Sequence, residues 1–210
     1  MKALLAFVSR HAAMVALWLF VASAWLFAAR VAEYSHARHP LALLGAAPLP
    51  GAAWFNLLAF VLPGLLLASV AMRLRAQLAR TGAPQARRWL PRIGAQLMLV
   101  AAVAFAAQGV FRLDANELDG AQNGPHAAAW MVWLIGFVAG GVLLGIGLRG
   151  AAQWQGLAMV SLAAAVLLPV VALLLPGWVP AGYAQRLAFG LWFAWAIAAE
   201  ARIAANARNP

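Results

Sequence analysis

The sequence predicts an all-α fold: a polytopic transmembrane bundle of six helices, forming a single integral membrane domain over residues 1–210. Three observations predict it. First, 66% of the 210 residues are hydrophobic and only 10% are charged, against about 45–50% and about 25% in soluble domains. One water-facing globule cannot hide that much apolar surface. This argues against a soluble enzyme, a disordered chain and a nucleic-acid-binding domain. Second, apolar runs recur that are long enough to cross about 30 Å of hydrocarbon. Third, the runs are continuous. Backbone groups in lipid must be satisfied within helices or a closed barrel, and barrel strands would alternate polar with apolar.

The elements follow in order. The first span is 12–31; its 18-residue uncharged run over 12–29 is longer than a typical signal-peptide core, so it reads as a retained span. The second is 52–72 and contains Pro63-Gly64, where a kink is expected. The third is 93–111, with 19 residues and no charge. The fourth, 127–148, places Gly136 and Gly140, and Gly141 and Gly145, four residues apart. Such small faces let a neighbouring backbone approach closely, within the bundle or in a homodimer. The fifth is 157–176, with a second kink expected at Pro169. The sixth, 187–205, is interrupted by Glu200, which reads as snorkelling beside Arg202 at the membrane edge. Asn56, Gln96 and Gln108 should face the bundle and bond to neighbouring helices. Trp54, Trp130, Trp133, Trp178, Trp89 and Trp154 fall near span ends, as an interfacial belt would.

Charge sets the orientation. The segment 73–92 carries Arg73, Arg75, Arg80, Arg87, Arg88 and Arg92 and reads as a cytoplasmic loop by the positive-inside rule. Six spans then put both termini in the cytoplasm, with 11 of the 15 Lys and Arg inside and four outside. The expected location is the plasma (inner) membrane, with the lipid bilayer as partner and no nucleic acid. Lipid headgroups account for the arginine loop. There is no Cys, so thiolate chemistry and disulfides are excluded. No phosphate-binding loop, dinucleotide glycine fingerprint, HExxH or GxSxG is present.

The remaining polar residues gather on the outer side. The first outer loop opens with Glu33, Tyr34, Ser35, His36, Arg38 and His39, then turns apolar with three prolines. It should lie in the interface or dip into the mouth of the bundle. The second outer loop holds Arg112, Asp114, Glu117, Asp119 and His126, and the third adds Tyr183, Gln185 and Arg186. Asn56 and Gln108 sit just below. His36, His39 and His126 are the residues that would hold Zn²⁺ with one position left for water. Ser35, Asp114 and Asp119 are the candidates for nucleophile, base or histidine-orienting group. The inventory is that of intramembrane zinc hydrolases of the ceramidase and progestin-receptor-like type, but the last span lacks their HxxxH pair.

The stretches SHARHPLALLGA, AAWFNLLAFVLPGLLL, FRLD and QRLAFGLWFAW resemble the bacterial and archaeal membrane family catalogued as domain of unknown function 998. The resemblance covers roughly residues 12–205 and rests on Ser35, His36, His39-Pro40, Asn56, Gly64, Asp114, His126 and Arg186. It implies a polytopic helical membrane protein and assigns no reaction. Three functions stay open on the sequence. The favoured one is a non-catalytic membrane component whose outer cluster, Asn56, Gln108, Arg112 and Arg186 included, closes the bundle through ion pairs. The second is a small-molecule or ion pathway. The third is a metal-assisted hydrolase or transferase acting on lipid-like substrates. Two contacts would follow from a functional outer face. The 112–126 loop should fold back onto 33–39, and Asp114 should bond to His36, His39, His126 or Arg186.

Overall fold

The computed structural model describes residues 7–81, 89–114 and 120–208. They form six helices and no strand among the described residues, apart from an isolated bridge between Ala47 and Asp114. Helix α1 is Ala12–Ala28. Helix α2 runs Ala52–Asn56, passes through a π-helical turn at Leu57–Val61, and continues as Leu62–Thr81. Helix α3 is Trp89–Val110 and α4 is Gly124–Gly147. Helix α5 is Gln155–Pro169, prolonged by a π-helical turn at Val170–Leu174 and a 3-10 turn at Leu175–Gly177. Helix α6 is Ala181–Arg208. The stretches that contain α2 to α6 are each long and apolar enough to cross a membrane. The 17 residues of α1 rise about 25 Å, close to the shortest span a bilayer accepts.

Both π-helical turns lie beside a proline. Each ends two residues before one: Leu57–Val61 before Pro63 and Val170–Leu174 before Pro176. A proline has no N–H to give and its ring crowds the carbonyl four residues back, here Ala59 and Ala172; a wider turn relieves that crowding. The second span is therefore distorted at Pro63, where a kink is expected, whereas in the fifth the wide turn falls just past Pro169.

Several helix ends move from their sequence-based positions. α2 continues through Arg73, Arg75 and Arg80, so the arginine segment is largely helix and only 82–88 separates it from α3. Arg87 and Arg88 lie outside the described residues. α6 begins at Ala181, which puts Tyr183, Gln185 and Arg186 on its first two turns and not in a loop. Hydropathy falls when charge appears, whereas helical hydrogen bonding continues into the headgroup layer.

Packing follows chain order. α3 lies between α2 and α4, and α4 lies between α3 and α5. α6 packs on α5, α1 and α2, which closes the ring. Small residues set the crossings. A Cβ on Gly64 would fall 2.6 Å from the Ala106 nitrogen of α3. Gly94 of α3 and Gly140 of α4 face each other backbone to backbone, 2.9–3.0 Å from the added atoms. Gly136 meets Ala101, and Gly141 and Gly145 meet Ala165 and Leu162 of α5. Both glycine faces of α4 are thus occupied within the chain, one by α3 and the other by α5, and neither is left for a second copy.

Lipid is as apolar as a leucine side chain, so burial alone does not hold these helices together; shape and polar ties do. The shape is aromatic. Phe20, Phe60, Phe105, Trp133, Phe189 and Phe193, from five of the six helices, pack with ring centroids 5.0–6.3 Å apart. Trp133 and Trp154 are fully buried. They belong to the core and not to the interfacial belt, which Trp54, Trp89 and Trp178 do fit as exposed residues. Trp195 gives its indole N–H to Ser161 Oγ at 3.0 Å, tying α6 to α5. Gln96 is exposed on the lipid side of α3, where it joins an apolar hollow, and makes no interhelical bond among the described residues.

One end of the bundle is closed by Glu200, which does not snorkel. The residue is 8% exposed. Its Oε1 accepts from the Ala12 N–H at 3.0 Å and its Oε2 from the Ala13 N–H at 3.2 Å. The same carboxylate pairs with the Arg73 guanidinium of α2. α1 starts at His11 with no side-chain cap of its own, so its first donors would be orphaned. Glu200 supplies the cap from across the bundle, where the helix dipole also favours a negative charge. Gln77 Nε2 adds a bond to the Ile203 carbonyl at 3.1 Å, one turn along each helix.

Candidate functional site

At the opposite end, the segment between α1 and α2 folds over the bundle. His39 accepts at Nδ1 from the Ser35 N–H, 3.0 Å away, which shapes the turn before Pro40. A 3-10 turn, Leu41–Gly45, then carries Leu41 and Leu44 into the core. The apolar part of this loop does dip into the mouth. Asn56, at the top of α2, donates from Nδ2 to the Gly45 carbonyl at 2.8 Å, and a Cβ at Gly45 would collide with the Asn56 amide.

The first two turns of α6 hold the polar half of the loop. Gly182 comes first: its missing side chain lets the His36 and Ala37 carbonyls sit against the helix, 2.5–2.6 Å from where a Cβ would be. Gln185 Oε1 accepts from the Leu41 N–H at 2.9 Å. Arg186 is the hub. Its Nη1 donates to the carbonyls of Gly182 at 2.8 Å and His39 at 3.2 Å. Its Nη2 donates to the Tyr34 hydroxyl at 2.7 Å and His36 Nδ1 at 3.1 Å.

These contacts fix proton positions. A guanidinium only donates, so His36 Nδ1 carries no proton and its N–H is at Nε2. Burial pushes the His36 imidazole below its ordinary 6.5, and the Arg186 charge pushes in the same direction. Burial also raises the Tyr34 hydroxyl, with Arg186 opposing. His126, at the start of α4, has the opposite arrangement. Its Nδ1 lies 3.0 Å from the Gln108 carbonyl and 2.8 Å from that of Phe111. Both are acceptors, so Nδ1 carries the proton and ties the end of α3 to α4. The Gln108 amide Nε2, buried beside it, has no partner among the described residues.

The sequence-based candidates therefore divide. His36, His39, Tyr34, Ser35 and Arg186 come together. His126 and Gln108 form a separate tie, and no group of three His, Asp or Glu converges as a metal shell among the described residues. Ser35 meets His39 through its backbone N–H and not through its hydroxyl. Asp114 is held by Gln122 Nε2 at 3.0 Å and by Asn123, whose side chain bonds the Asp114 N–H and carbonyl. The segment 112–126 does reach the segment between α1 and α2, but at Ala47, whose N–H bonds the Leu113 carbonyl at 3.0 Å, and among the described residues not at 33–39. Neither Arg112, which is exposed, nor Arg186 reaches a carboxylate among the described residues. Glu117 and Asp119 lie outside the described residues.

Sequence reasoning missed two things here. It placed Gly182 nowhere, though a small residue one turn before Arg186 is a readable signal of close approach. It also treated Arg186 as a loop charge seeking an acid. No curated protein and no solved structure matches the chain. A family model does: it is described as "Protein of unknown function (DUF998)" and matches residues 14–202, so this helical membrane chain belongs to that family.

Proposed function

We propose that this protein is a non-catalytic component of the plasma membrane, crossing it six times with both termini in the cytoplasm. One observation carries the reading. The outer polar side chains bond mainly to backbone groups and to one another: Arg186 to two carbonyls, Tyr34 and His36, His126 to two carbonyls, Asn56 to Gly45. Groups that must exchange protons or ligate a metal need their lone pairs or protons free for that work. Here they close the mouth of the bundle. The orientation is supported by the excess of Lys and Arg, 11 against four, on the side where Arg73 and Glu200 lie.

Two measurements test the proposal. Metal analysis of purified protein should find no stoichiometric zinc. Zinc at one equivalent, lost on His36→Ala, His39→Ala or His126→Ala, would overturn it. Reporter fusions after Phe111 and Pro210 should read outside and inside; the reverse would overturn the topology.

A further inference from the structure

A notch runs down the outer half of the bundle between α1 and α6. Its volume is about 340 Å³, and it is lined mainly by apolar side chains, within the range of about 300–1,000 Å³ typical of ligand pockets. Gly190 makes it. Arg186, Gly190 and Phe193 lie on one face of α6, and at Gly190 an added Cβ would meet nothing within 4 Å. Leu17, Phe20 and Trp25 of α1 form the opposite wall. Helix–helix contact is thus interrupted where the two outer halves would otherwise close.

The head of the notch is polar, and its charge is not balanced. Arg186 and His36 both line it. Arg186 has five N–H donors. Four reach neutral acceptors, which leaves Nε–H, and no carboxylate among the described residues offsets the positive charge. The Nδ1 of His36 is taken by Arg186, so its remaining N–H, at Nε2, has no partner among the described residues. A half-buried cation beside lipid is costly without a counter-ion. Guanidinium geometry suits phosphate oxygens.

We propose that this notch binds an anionic phospholipid, with one acyl chain between α1 and α6 and its phosphate at Arg186 and His36. The acyl chain replaces the missing side chain of Gly190, and the headgroup supplies the missing negative charge.

The test uses the full chain purified in detergent and exposed separately to dioleoylphosphatidylglycerol, dioleoylphosphatidylcholine and glycerol 3-phosphate. Native mass spectrometry reads the retained molecules. The wild type should retain phosphatidylglycerol over phosphatidylcholine and should not retain glycerol 3-phosphate. Arg186→Met should lower phosphatidylglycerol retention about fivefold, the worth of one basic side chain near an anionic lipid. Gly190→Leu fills the notch without touching the Arg186 contacts. It should abolish retention of both lipids with an unchanged melting temperature, so the result does not depend on whether Arg186→Met folds. Equal retention of the two lipids by the wild type would overturn the proposal. Undiminished phosphatidylglycerol on Gly190→Leu, or glycerol 3-phosphate held as firmly as the lipid, would do the same.

Discussion

The two ends of the bundle solve the same problem in opposite ways. At the Glu200 end, a buried acid faces a cation and two helix N–H donors, so charge balances inside the protein, although the Arg73 Nε–H is buried without a partner among the described residues. At the Arg186 end, a half-buried cation faces carbonyls, a hydroxyl and a neutral imidazole. Four of its five N–H donors have partners, but its charge has none among the described residues. The first end resists change because removing either partner strands the other. The second end should tolerate loss better, and its unbalanced charge is what the proposed lipid would meet.

The comparison breaks hardest at Glu200. Glu200→Gln removes the charge that Arg73 faces and weakens the cap on α1. Breaking such a pair costs about 3 kcal/mol, the lower end of the usual range because the Arg73 side chain is 32% exposed. Unfolding of detergent-purified protein, followed by tryptophan fluorescence, should show it. The double variant Arg73→Met with Glu200→Met should recover to within about 1–2 kcal/mol of wild type, since it leaves no stranded charge. A double variant as unstable as the single one would show that capping of α1, and not the ion pair, carries the effect.

At the outer end, His126→Ala should cost about 1–2 kcal/mol by leaving two carbonyls at the end of α3 without their donor. Arg186→Met should cost less, about 1 kcal/mol, because Arg186 is only half-buried and water can reach the acceptors it leaves, whereas His126 is buried. If Arg186→Met proved as damaging as Glu200→Gln, the contrast between the two ends would not hold.

Acid gives the smallest effect and sharpens the contrast. The folded protein holds the His36 imidazole below 6.5 through burial and then Arg186. Its contribution to stability is therefore complete above pH 6.5 and is lost as pH falls below that value towards the folded-state pKa. Protonated His36 cannot accept from Arg186, so the loop over α6 should loosen first. Melting temperature should decline gently below pH 6.5, and His36→Gln should flatten that slope. An unchanged slope would assign the acid sensitivity elsewhere.

Much of the architecture was legible in the sequence, for a physical reason: hydrocarbon imposes a length and a hydropathy on each crossing, and both can be counted. Pro63 announced its distortion because a missing N–H has local consequences, whereas the wide turn of α5 falls past Pro169 and just before Pro176. The ends of α2 and α6 were not legible. Arg73 and Tyr183 look like loop residues to a hydropathy count, although the backbone remains helical through them. Glu200 was misjudged because Arg73, 127 residues away, is invisible without the fold. Its isolation as the one acid among 11 inner cations was the available clue. In the outer cluster the residue types were readable but their pairing was not. Three histidines counted as equivalent ligands all commit Nδ1, but His36 and His39 accept there while His126 donates. Arg186 also becomes a hub only once α6 is known to start at Ala181.

The tie between Ala12 and Glu200 spans 188 positions, and this bears on how the chain is made. At about 5–20 residues per second, the beginning of α1 leaves the ribosome about 10–40 seconds before Glu200 does. During that interval its first amide groups have only water, lipid headgroups or a chaperoning membrane protein to bond with. The first helix can therefore be threaded early but locked only when the last one arrives, so ring closure is the final event of assembly. A nascent chain arrested before residue 200 should leave α1 open to extraction or proteolysis, and quality-control machinery would meet the unfinished protein in that form.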